Sequence, residues 1–180
     1  MKLMIASDLH GSAYYCRALL DAFAREGAEQ LVLLGDLLYH GPRNPLPKDY
    51  DTMAVTAMLN SMADKLLCVR GNCDAEVDQM VLQFPMMAAD CCISVDGRRI
   101  RATHGHANGP ENPPPMQNGD ILLCGHFHLP INRSCGTYSY WNPGSLSLPK
   151  DSTPHSYMML VDGVPSWHDV ETGEEFKPLD

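Results

Sequence analysis

Five short apolar runs restrict the fold of this chain more than any other feature. They cover residues 3–6, 31–34, 66–69, 100–102 and 121–124. Runs of this length beside Gly or Asn are typical of buried strands. Two segments with helical periodicity separate the first three runs: one follows Ser12 and ends at Gly27, and the other covers Thr52 to Asp64. Strands that alternate with helices predict parallel crossovers and a buried sheet.

The second half of the chain is predicted to be rich in β-structure. Residues 91–95 and 98–102 flank Asp96-Gly97, which suits the two-residue turn of a β-hairpin. Residues 137–141, 157–161 and 164–170 are further predicted strands, and the proline-containing stretches 40–50 and 108–118 are predicted to be ordered loops. No segment is rich enough in Gly and Ser to separate two domains. We therefore expect an α/β (α+β) fold in a single domain over residues 1–180.

Composition excludes several classes of function. The 180 residues are 44% hydrophobic and 19% charged, as in an ordinary soluble domain. A net charge of −9 with 13 Lys and Arg opposes extended binding to nucleic acid. No apolar stretch reaches the ~20 residues of a membrane span, and the first one is too short for a signal peptide. Seven cysteines, with Cys91 and Cys92 adjacent and no CxxC motif, indicate reduced thiols. We expect a cytoplasmic protein without a membrane partner.

Each apolar run is followed by residues that can bind a metal ion. Taken singly, each could be a loop carboxylate, a helix cap or a core histidine. Together they favour a metal site, because ligands of an open α/β sheet bind outside the carboxyl ends of its strands. Oxygen and imidazole donors suit a divalent ion such as Mn, Fe or Zn, and seven donors suit two ions that share one carboxylate. The candidate ligands are Asp8, His10, Asp36, Asn72, His104, His126 and His128.

These residues belong to an ordered set of motifs: Asp8-Leu9-His10, Gly35-Asp36, Gly71-Asn72-Cys73-Asp74, His104-Gly105-His106 and Gly125-His126-Phe127-His128. The set resembles the calcineurin-like metallophosphoesterase superfamily, and the similarity extends from Met1 to about Val170. It implies a four-layer αββα sandwich of two mixed β-sheets with a dinuclear centre at one edge. The implied cofactors are two divalent metal ions, commonly Mn²⁺, with Fe, Zn or Ni as alternatives.

The resemblance also implies a role for each ligand. The first ion would be held by Asp8, His10 and His128, and the second by Asn72, His104 and His126. Asp36 would bridge them, and Asp36, Asn72 and His104 are the predicted catalytic residues. The two ions would lower the pKa of a bridging water, and their charge would attract a phosphate despite the acidic composition. Asn142 to Ser145 is predicted to form a turn that supports the histidine loops.

Four further residues are predicted substrate contacts: His106, Arg43, His40 and Cys73. His106 either contacts phosphate or supports the ligands from behind, and the loop that carries His40 and Arg43 could instead be merely solvated. Cys73 stands where much of the superfamily has a histidine that contacts the phosphate and helps to protonate the leaving group. A metal ligand and a nucleophile are the other roles open to Cys73. We favour a third possibility, in which Cys73 occupies the position of this histidine without replacing its function, because a thiol is a weak hydrogen-bond donor and not a cation.

The sequence thus predicts a metal-dependent phosphoric diester hydrolase that acts on a small phosphodiester. One alternative is a non-catalytic interaction scaffold, because the retromer subunit Vps29 shares the resemblance, and another is a phosphomonoesterase. All four ligand histidines are present, which favours an enzyme. A homo-oligomer is compatible with the sequence.

Overall fold

The secondary structure follows the predicted order of strands and helices. A computed structural model describes residues 1–95 and 97–180. Along the chain, the elements are β1 (Lys2–Ala6), α1 (Ala13–Glu26), β2 (Gln30–Leu33), α2 (Thr52–Asn60), β3 (Leu66–Cys68), α3 (Glu76–Val81), β4 (Asp90–Val95), β5 (Arg98–Thr103), β6 (Ile121–Cys124), β7 (Pro130–Ser134), β8 (Ser139–Pro143), β9 (Ser156–Val161), β10 (Val164–Asp169) and β11 (Glu175–Phe176).

Two mixed β-sheets form the centre of the structure. The first has the strand order β11-β10-β9-β1-β2-β3, and the second has the order β4-β5-β6-β8-β7. In the first sheet β1, β2 and β3 are parallel, as predicted from the alternating strands and helices. In the second sheet β5, β6 and β8 are parallel and the outer strands β4 and β7 are antiparallel to their neighbours.

The strands β1, β2 and β6 bury both of their faces, which explains their continuous apolar sequences. Leu3 and Ile5 of β1 lie in the core between the two sheets, whereas Met4 and Ala6 face the core that contains α1. Each such leucine or isoleucine stabilises the fold by about 1.5–3 kcal/mol. The outer face of the second sheet carries a smaller cluster that includes Leu122 of β6. The helices therefore cover the first sheet, and the two sheets cover each other.

Helix α1 begins and ends at the predicted residues. The Ser12 hydroxyl accepts a hydrogen bond from the Tyr15 N–H at 3.3 Å, and Gly27 ends the helix with a φ of 62°. Leu19 and Phe23 on its inner face are buried. Because α1 returns the chain across the sheet, β1 and β2 run in the same direction and end at the same edge.

Helix α2 is shorter than predicted, because it ends at Asn60 instead of Asp64. The Asn60 side chain donates to the Val81 carbonyl at 2.9 Å and accepts from the Gln83 N–H at 2.8 Å, so it ties the helix end to a distant segment. A 3-10 turn over Ala63–Lys65 then leads into β3. The apolar spacing of the sequence continues to Met62, so it predicted a longer helix. Spacing alone cannot show that a contact with a distant segment ends the helix at Asn60.

The predicted β-hairpin is confirmed, since β4 and β5 pair antiparallel with Val95 opposite Arg98. The predicted turn residue Asp96 lies outside the described residues. Three elements were not predicted: α3, β7 and β11. α3 and β11 are too short for a periodic signal, and β7 begins with a proline and is mostly exposed.

None of the helices in the described part of the chain has the length and apolar character needed to cross a membrane.

Candidate metal centre

The predicted ligands meet at one edge of the two sheets. Asp8 and His10 follow β1, Asp36 follows β2, and Asn72 follows β3. His104 follows β5, and His126 and His128 follow β6. Hydrogen bonds join the two groups, because the His126 N–H donates to Asp8 Oδ2 at 2.9 Å and His104 Nδ1 lies 2.6 Å from the Leu34 carbonyl oxygen. The structure therefore brings together residues that are up to 120 positions apart in the sequence.

Asp8, His10 and His128 form the first cluster of donor atoms. Asp8 Oδ1 lies 3.2 Å from His128 Nε2 and 3.7 Å from His10 Nε2, and the two Nε2 atoms are 3.4 Å apart. All three residues are buried, and Asp8 Oδ1 has no hydrogen-bond partner of acceptable geometry within the described residues. A buried carboxylate oxygen without a partner is costly, and a cation between these three atoms would offset that cost.

Three histidine rings are oriented by backbone carbonyl groups. His10 Nδ1 lies 2.9 Å from the Tyr39 oxygen, and His128 Nδ1 lies 2.6 Å from the Leu148 oxygen. His104 Nδ1 contacts a carbonyl in the same way. Because a carbonyl only accepts, each Nδ1 must carry the proton, and Nε2 of the neutral ring is left with a lone pair that faces the cluster. Metal-binding histidines have this arrangement.

Asp36 lies between the two groups of ligands, where the sequence places a bridging carboxylate. Its Oδ2 is 3.7 Å from His10 Nε2 and 3.4 Å from His104 Nε2. Its Oδ1 accepts the Cys73 N–H at 2.8 Å. Asn72 Oδ1 reaches the same region, 3.0 Å from His104 Nε2.

The donor atoms fall into small groups that could hold metal ions. Within 4.8 Å of one another lie donor atoms of Asp8, His10 and His128, and likewise of Asp8, Asp36 and His104. A third such group consists of His10, Asp36 and Cys73. Outside these groups, the His126 ring packs against the His104 ring with their centroids 5.1 Å apart. Oxygen and imidazole donors at this spacing fit divalent cations.

The electrostatics of the cluster favour positive charge at its centre. Burial raises the pKa of Asp8, but the adjacent His10 and His128 side chains outweigh burial and hold that pKa well below its usual range. Burial lowers the pKa of His104, but the Asp36 hydrogen bond and the charge of Asp8 raise it to about 9. Burial and the nearby His104 charge lower the pKa of His126. In the metal-free protein, protons supply the positive charge that metal ions could supply instead.

The backbone is strained at the predicted ligands. Five of the seven have a left-handed conformation, with φ between 50° and 64°: Asp8, His10, Asp36, His126 and His128. For residues other than glycine, this conformation costs about 1–3 kcal/mol each and typically occurs at functional sites. The surrounding hydrogen bonds therefore hold these loops in a shape that aims the side chains at one another.

Two glycines allow the loops to approach closely. A side chain at Gly71 would overlap the Asp36 carboxylate, and one at Gly125 would overlap the Ser7 hydroxyl and approach Asp8 Oδ2. Only a residue without a Cβ atom fits either position.

Two of the four predicted substrate contacts lie at the metal cavity. This cavity has a volume of about 100 Å³ and is bounded by predicted ligands together with Arg43 and Cys73. His106 lies instead in a neighbouring cleft of about 430 Å³ that also reaches Asn72 and His104. His40 packs its ring against Tyr39 and Tyr50 and does not line either space.

In the metal-free protein, the surroundings of Cys73 favour a neutral thiol. Burial raises its pKa to about 12, and the charges of Asp36 and Asp74 act in the same direction. The Asn72 side-chain amide donates to its sulfur at 3.3 Å. A protonated thiol is a poor nucleophile and a poor metal ligand.

Comparison with known proteins identifies the family of this chain. The model of the calcineurin-like phosphoesterase superfamily domain matches residues 1–162. The chain belongs to this superfamily. It is 49% identical over 164 residues to the phosphodiesterase YfcE of Escherichia coli K12, which covers 91% of this chain and 89% of that protein. The family implies the use of divalent metal, for which the Asp and His clusters are suitable donors.

Solved structures of relatives confirm the fold. The structure of YfcE, described as a phosphoesterase from E. coli, superposes with a TM-score of 0.96 at 45% identity and covers 99% of this chain and 98% of its own. Vps29 from Entamoeba histolytica, solved with Zn²⁺, has a TM-score of 0.62 at 18% identity and covers 98% of this chain and 96% of its own. The predicted metallophosphoesterase sandwich of two mixed sheets is therefore confirmed.

Sequence reasoning missed residues that hold the ligand loops of this superfamily in place. Asp74 accepts three backbone N–H groups, from Asp36, Leu37 and Gly71, at 2.7–2.8 Å. Its position in the Gly-Asn-Cys-Asp motif was the only available signal. Lys150, which lines the metal cavity, was also missed because it lies outside every motif.

The turn at Asn142 to Ser145 supports the ligand loops, as predicted. The Asn142 amide donates to the Gly125 carbonyl at 2.8 Å, and the Ser145 hydroxyl donates to the Asp8 carbonyl at 2.9 Å. This turn thus joins the loop after β1 to the loop after β6.

Proposed function

We propose that this chain is a metal-dependent phosphodiesterase that hydrolyses a small phosphodiester at a centre of two divalent ions. The observation that carries the proposal is the convergence of buried carboxylate oxygens and histidine Nε2 atoms, one of them an oxygen without a partner, at the sheet edge. The similarity to YfcE, which is named a phosphodiesterase, supports the diester as substrate class. Mn²⁺ is the expected ion, with Fe, Zn or Ni as alternatives.

Each residue has a defined task in this proposal. Asp8, His10 and His128 would hold one ion, Asn72, His104 and His126 would hold the other, and Asp36 would be shared by both. When bound, the ions lower the pKa of the attacking water and offset the charge that develops on the phosphoryl oxygens. The Nδ1 contacts of His10, His104 and His128 keep the Nε2 atoms aimed at the ions.

The sizes of the two cavities are consistent with a diester substrate. The metal cavity of about 100 Å³ is much smaller than the roughly 300–1,000 Å³ of common ligand pockets, so it suits a phosphoryl group without its ester substituents. The neighbouring cleft of about 430 Å³ shares Asn72 and His104 with the centre. We propose that one ester substituent occupies this cleft, where His106 and Arg70 contact it.

We further propose a cytoplasmic protein with one domain over residues 1–180. In support, all seven cysteines are free, as expected in a reducing compartment. Phosphomonoesters and homo-oligomers remain compatible with this proposal.

The decisive experiment combines metal analysis with activity, because bound metal by itself does not demonstrate hydrolysis. The chelated protein should be inactive on an aryl phosphodiester and recover with Mn²⁺, and it should bind two ions per chain. An aryl phosphomonoester serves as the competing substrate.

Asp36→Asn tests the bridge, because it keeps the shape of the side chain but removes its charge. We expect it to bind fewer ions and to lose more than about 10²-fold in kcat/KM. Asp21→Asn, at an exposed position outside the metal cavity, is the matched control. Full activity after chelation, or two tightly bound ions in Asp36→Asn, would refute the proposal.

A further inference from the structure

Two cationic side chains line the metal cavity in addition to the predicted ligands. They are Arg43, from the loop before α2, and Lys150, from the segment after β8. A phosphoryl group would fill much of a cavity of about 100 Å³, so long cationic side chains on its walls could reach it. Cys73 also lines this space, but a thiol is a weak donor without charge. The charged donors to the phosphoryl oxygens that these walls offer are therefore Arg43 and Lys150.

The backbone of Lys150 is fixed to the loop that carries the ligand His128. The Lys150 N–H donates to the His128 carbonyl at 3.1 Å, and His128 Nδ1 donates to the Leu148 carbonyl at 2.6 Å. The Thr153 N–H and hydroxyl both donate to the Lys150 carbonyl, at 3.0 and 2.8 Å. Hydrogen bonds to the His128 loop therefore fix the backbone of Lys150, and the same loop carries the metal ligand His128.

The same segment is also tied to the ligand Asp8. The hydroxyls of Ser145 and Ser147 donate to the Asp8 carbonyl at 2.9 and 3.1 Å, and the Leu148 N–H donates to the Ser145 hydroxyl at 3.0 Å. These bonds hold the backbone of residues 145–148 against the loop that carries Asp8. The point from which the Lys150 side chain extends is therefore set relative to both Asp8 and His128.

The Lys150 ammonium has no competing partner among the described residues, where it forms no ion pair and no side-chain hydrogen bond. Other cations are already engaged: Arg99 binds Asp120 at 3.0 Å, and Lys48 lies 3.3 Å above the Tyr14 ring. An ammonium has three donors and suits an oxyanion.

We propose that Lys150 binds a non-bridging oxygen of the phosphoryl group, as a cation beside the metal ions. This inference rests on the proposed function only for the identity of the natural ligand, since free phosphate should bind in the same way. Lys150 acts by charge and hydrogen bonding and transfers no proton. It thereby supplies a cationic contact to the phosphate that Cys73 cannot supply.

The test uses inorganic phosphate as the probe and the Mn²⁺-loaded full chain. Lys150→Ala should weaken phosphate binding, measured by calorimetry, by about 10- to 100-fold, which corresponds to one charge-assisted hydrogen bond. Lys150→Arg should restore most of the affinity. Lys177→Ala, at an exposed position away from the cavity, should change nothing. The Mn²⁺ content should be equal in all four proteins.

A series of aryl phosphodiesters with graded leaving-group pKa gives a second readout. We expect Lys150→Ala to lower kcat/KM by a similar factor for every substrate, because a non-bridging oxygen is common to all of them. A loss that grows with leaving-group pKa would place Lys150 at the leaving oxygen and overturn the proposal. Unchanged phosphate affinity, or loss of Mn²⁺, would also overturn it.

These outcomes are separable from those of the proposed function. If the wild-type protein bound Mn²⁺ and phosphate but hydrolysed no diester, a weaker phosphate complex in Lys150→Ala would still support this inference while the proposed function failed.

Discussion

We predict that Asp74 holds Asp36, the expected bridging ligand, in position without itself contacting a metal ion. Its Oδ2 accepts the N–H groups of Asp36 and Gly71 at 2.8 and 2.7 Å, and its Oδ1 accepts that of Leu37 at 2.8 Å. These bonds join the loop after β2 to the loop after β3. The side chain is buried, so water cannot easily replace it. Asp74→Asn is the sharpest perturbation, because it keeps the shape and removes the charge.

The expected effect follows from the three hydrogen bonds. Hydrogen bonds to a charged group contribute about 1.5–3 kcal/mol each, and roughly half of that without the charge. In Asp74→Asn, an amide oxygen in the Oδ2 position can still accept the N–H groups of Asp36 and Gly71. The amide NH₂ then faces the Leu37 N–H, and that bond is lost because both groups are donors. We therefore expect the free energy of unfolding to fall by about 3–6 kcal/mol. A domain with about 10 kcal/mol of total stability, in the middle of the usual range, would be weakened but largely folded.

Urea unfolding of the metal-free protein measures this change, with Asp21→Asn as a control of equal charge loss. Calorimetry with Mn²⁺ should show about 10- to 100-fold weaker binding in Asp74→Asn, as for other residues that orient metal ligands. A free energy of unfolding within 0.5 kcal/mol of the wild type, together with unchanged Mn²⁺ affinity, would refute the reasoning.

Three further predictions test the centre. Gly71→Ala places a methyl group against the Asp36 carboxylate and should weaken Mn²⁺ binding by more than about 10-fold in calorimetry; wild-type affinity would show that the loop can move aside. In the metal-free protein the pKa of His104 is raised from 6.5 to about 9, so its proton stabilises the fold fully below pH 6.5 and is lost as the pH rises through about 9. Urea titrations should show falling stability over this range while Mn²⁺ affinity rises, because the ion displaces the proton, and a flat profile of both would contradict this. Cys73→Ser should keep metal binding and most activity on aryl diesters, whereas Cys73→His should gain by up to about 10²-fold on alkoxide leaving groups; complete loss in Cys73→Ser with metal still bound would show that the thiol takes part in the reaction.

Much of the fold and the ligand set could be predicted because both leave local patterns. An apolar run of four residues that is followed by Gly-Asp, as in residues 31–36, predicts a buried strand with a polar group just after its carboxyl end. Parallel strands end at the same edge, so the ligands of β1, β2 and β3 had to meet there. The caps Ser12 and Gly27 bounded α1 for the same local reason.

The sequence by itself determined which residues could bind metal, and only the tertiary structure decided which others reach the cavity. His40 and His106 stand near ligands in the sequence, yet one packs against tyrosine rings and the other lines a separate cleft. Lys150 follows His128 by 22 residues but returns to it through a backbone hydrogen bond. The Asp74 carboxylate accepts three backbone N–H groups, although its motif does not indicate which groups it would contact. Periodicity reports the nearest turns of the chain, whereas the path of a loop depends on hydrogen bonds to distant backbone, which have no period to detect.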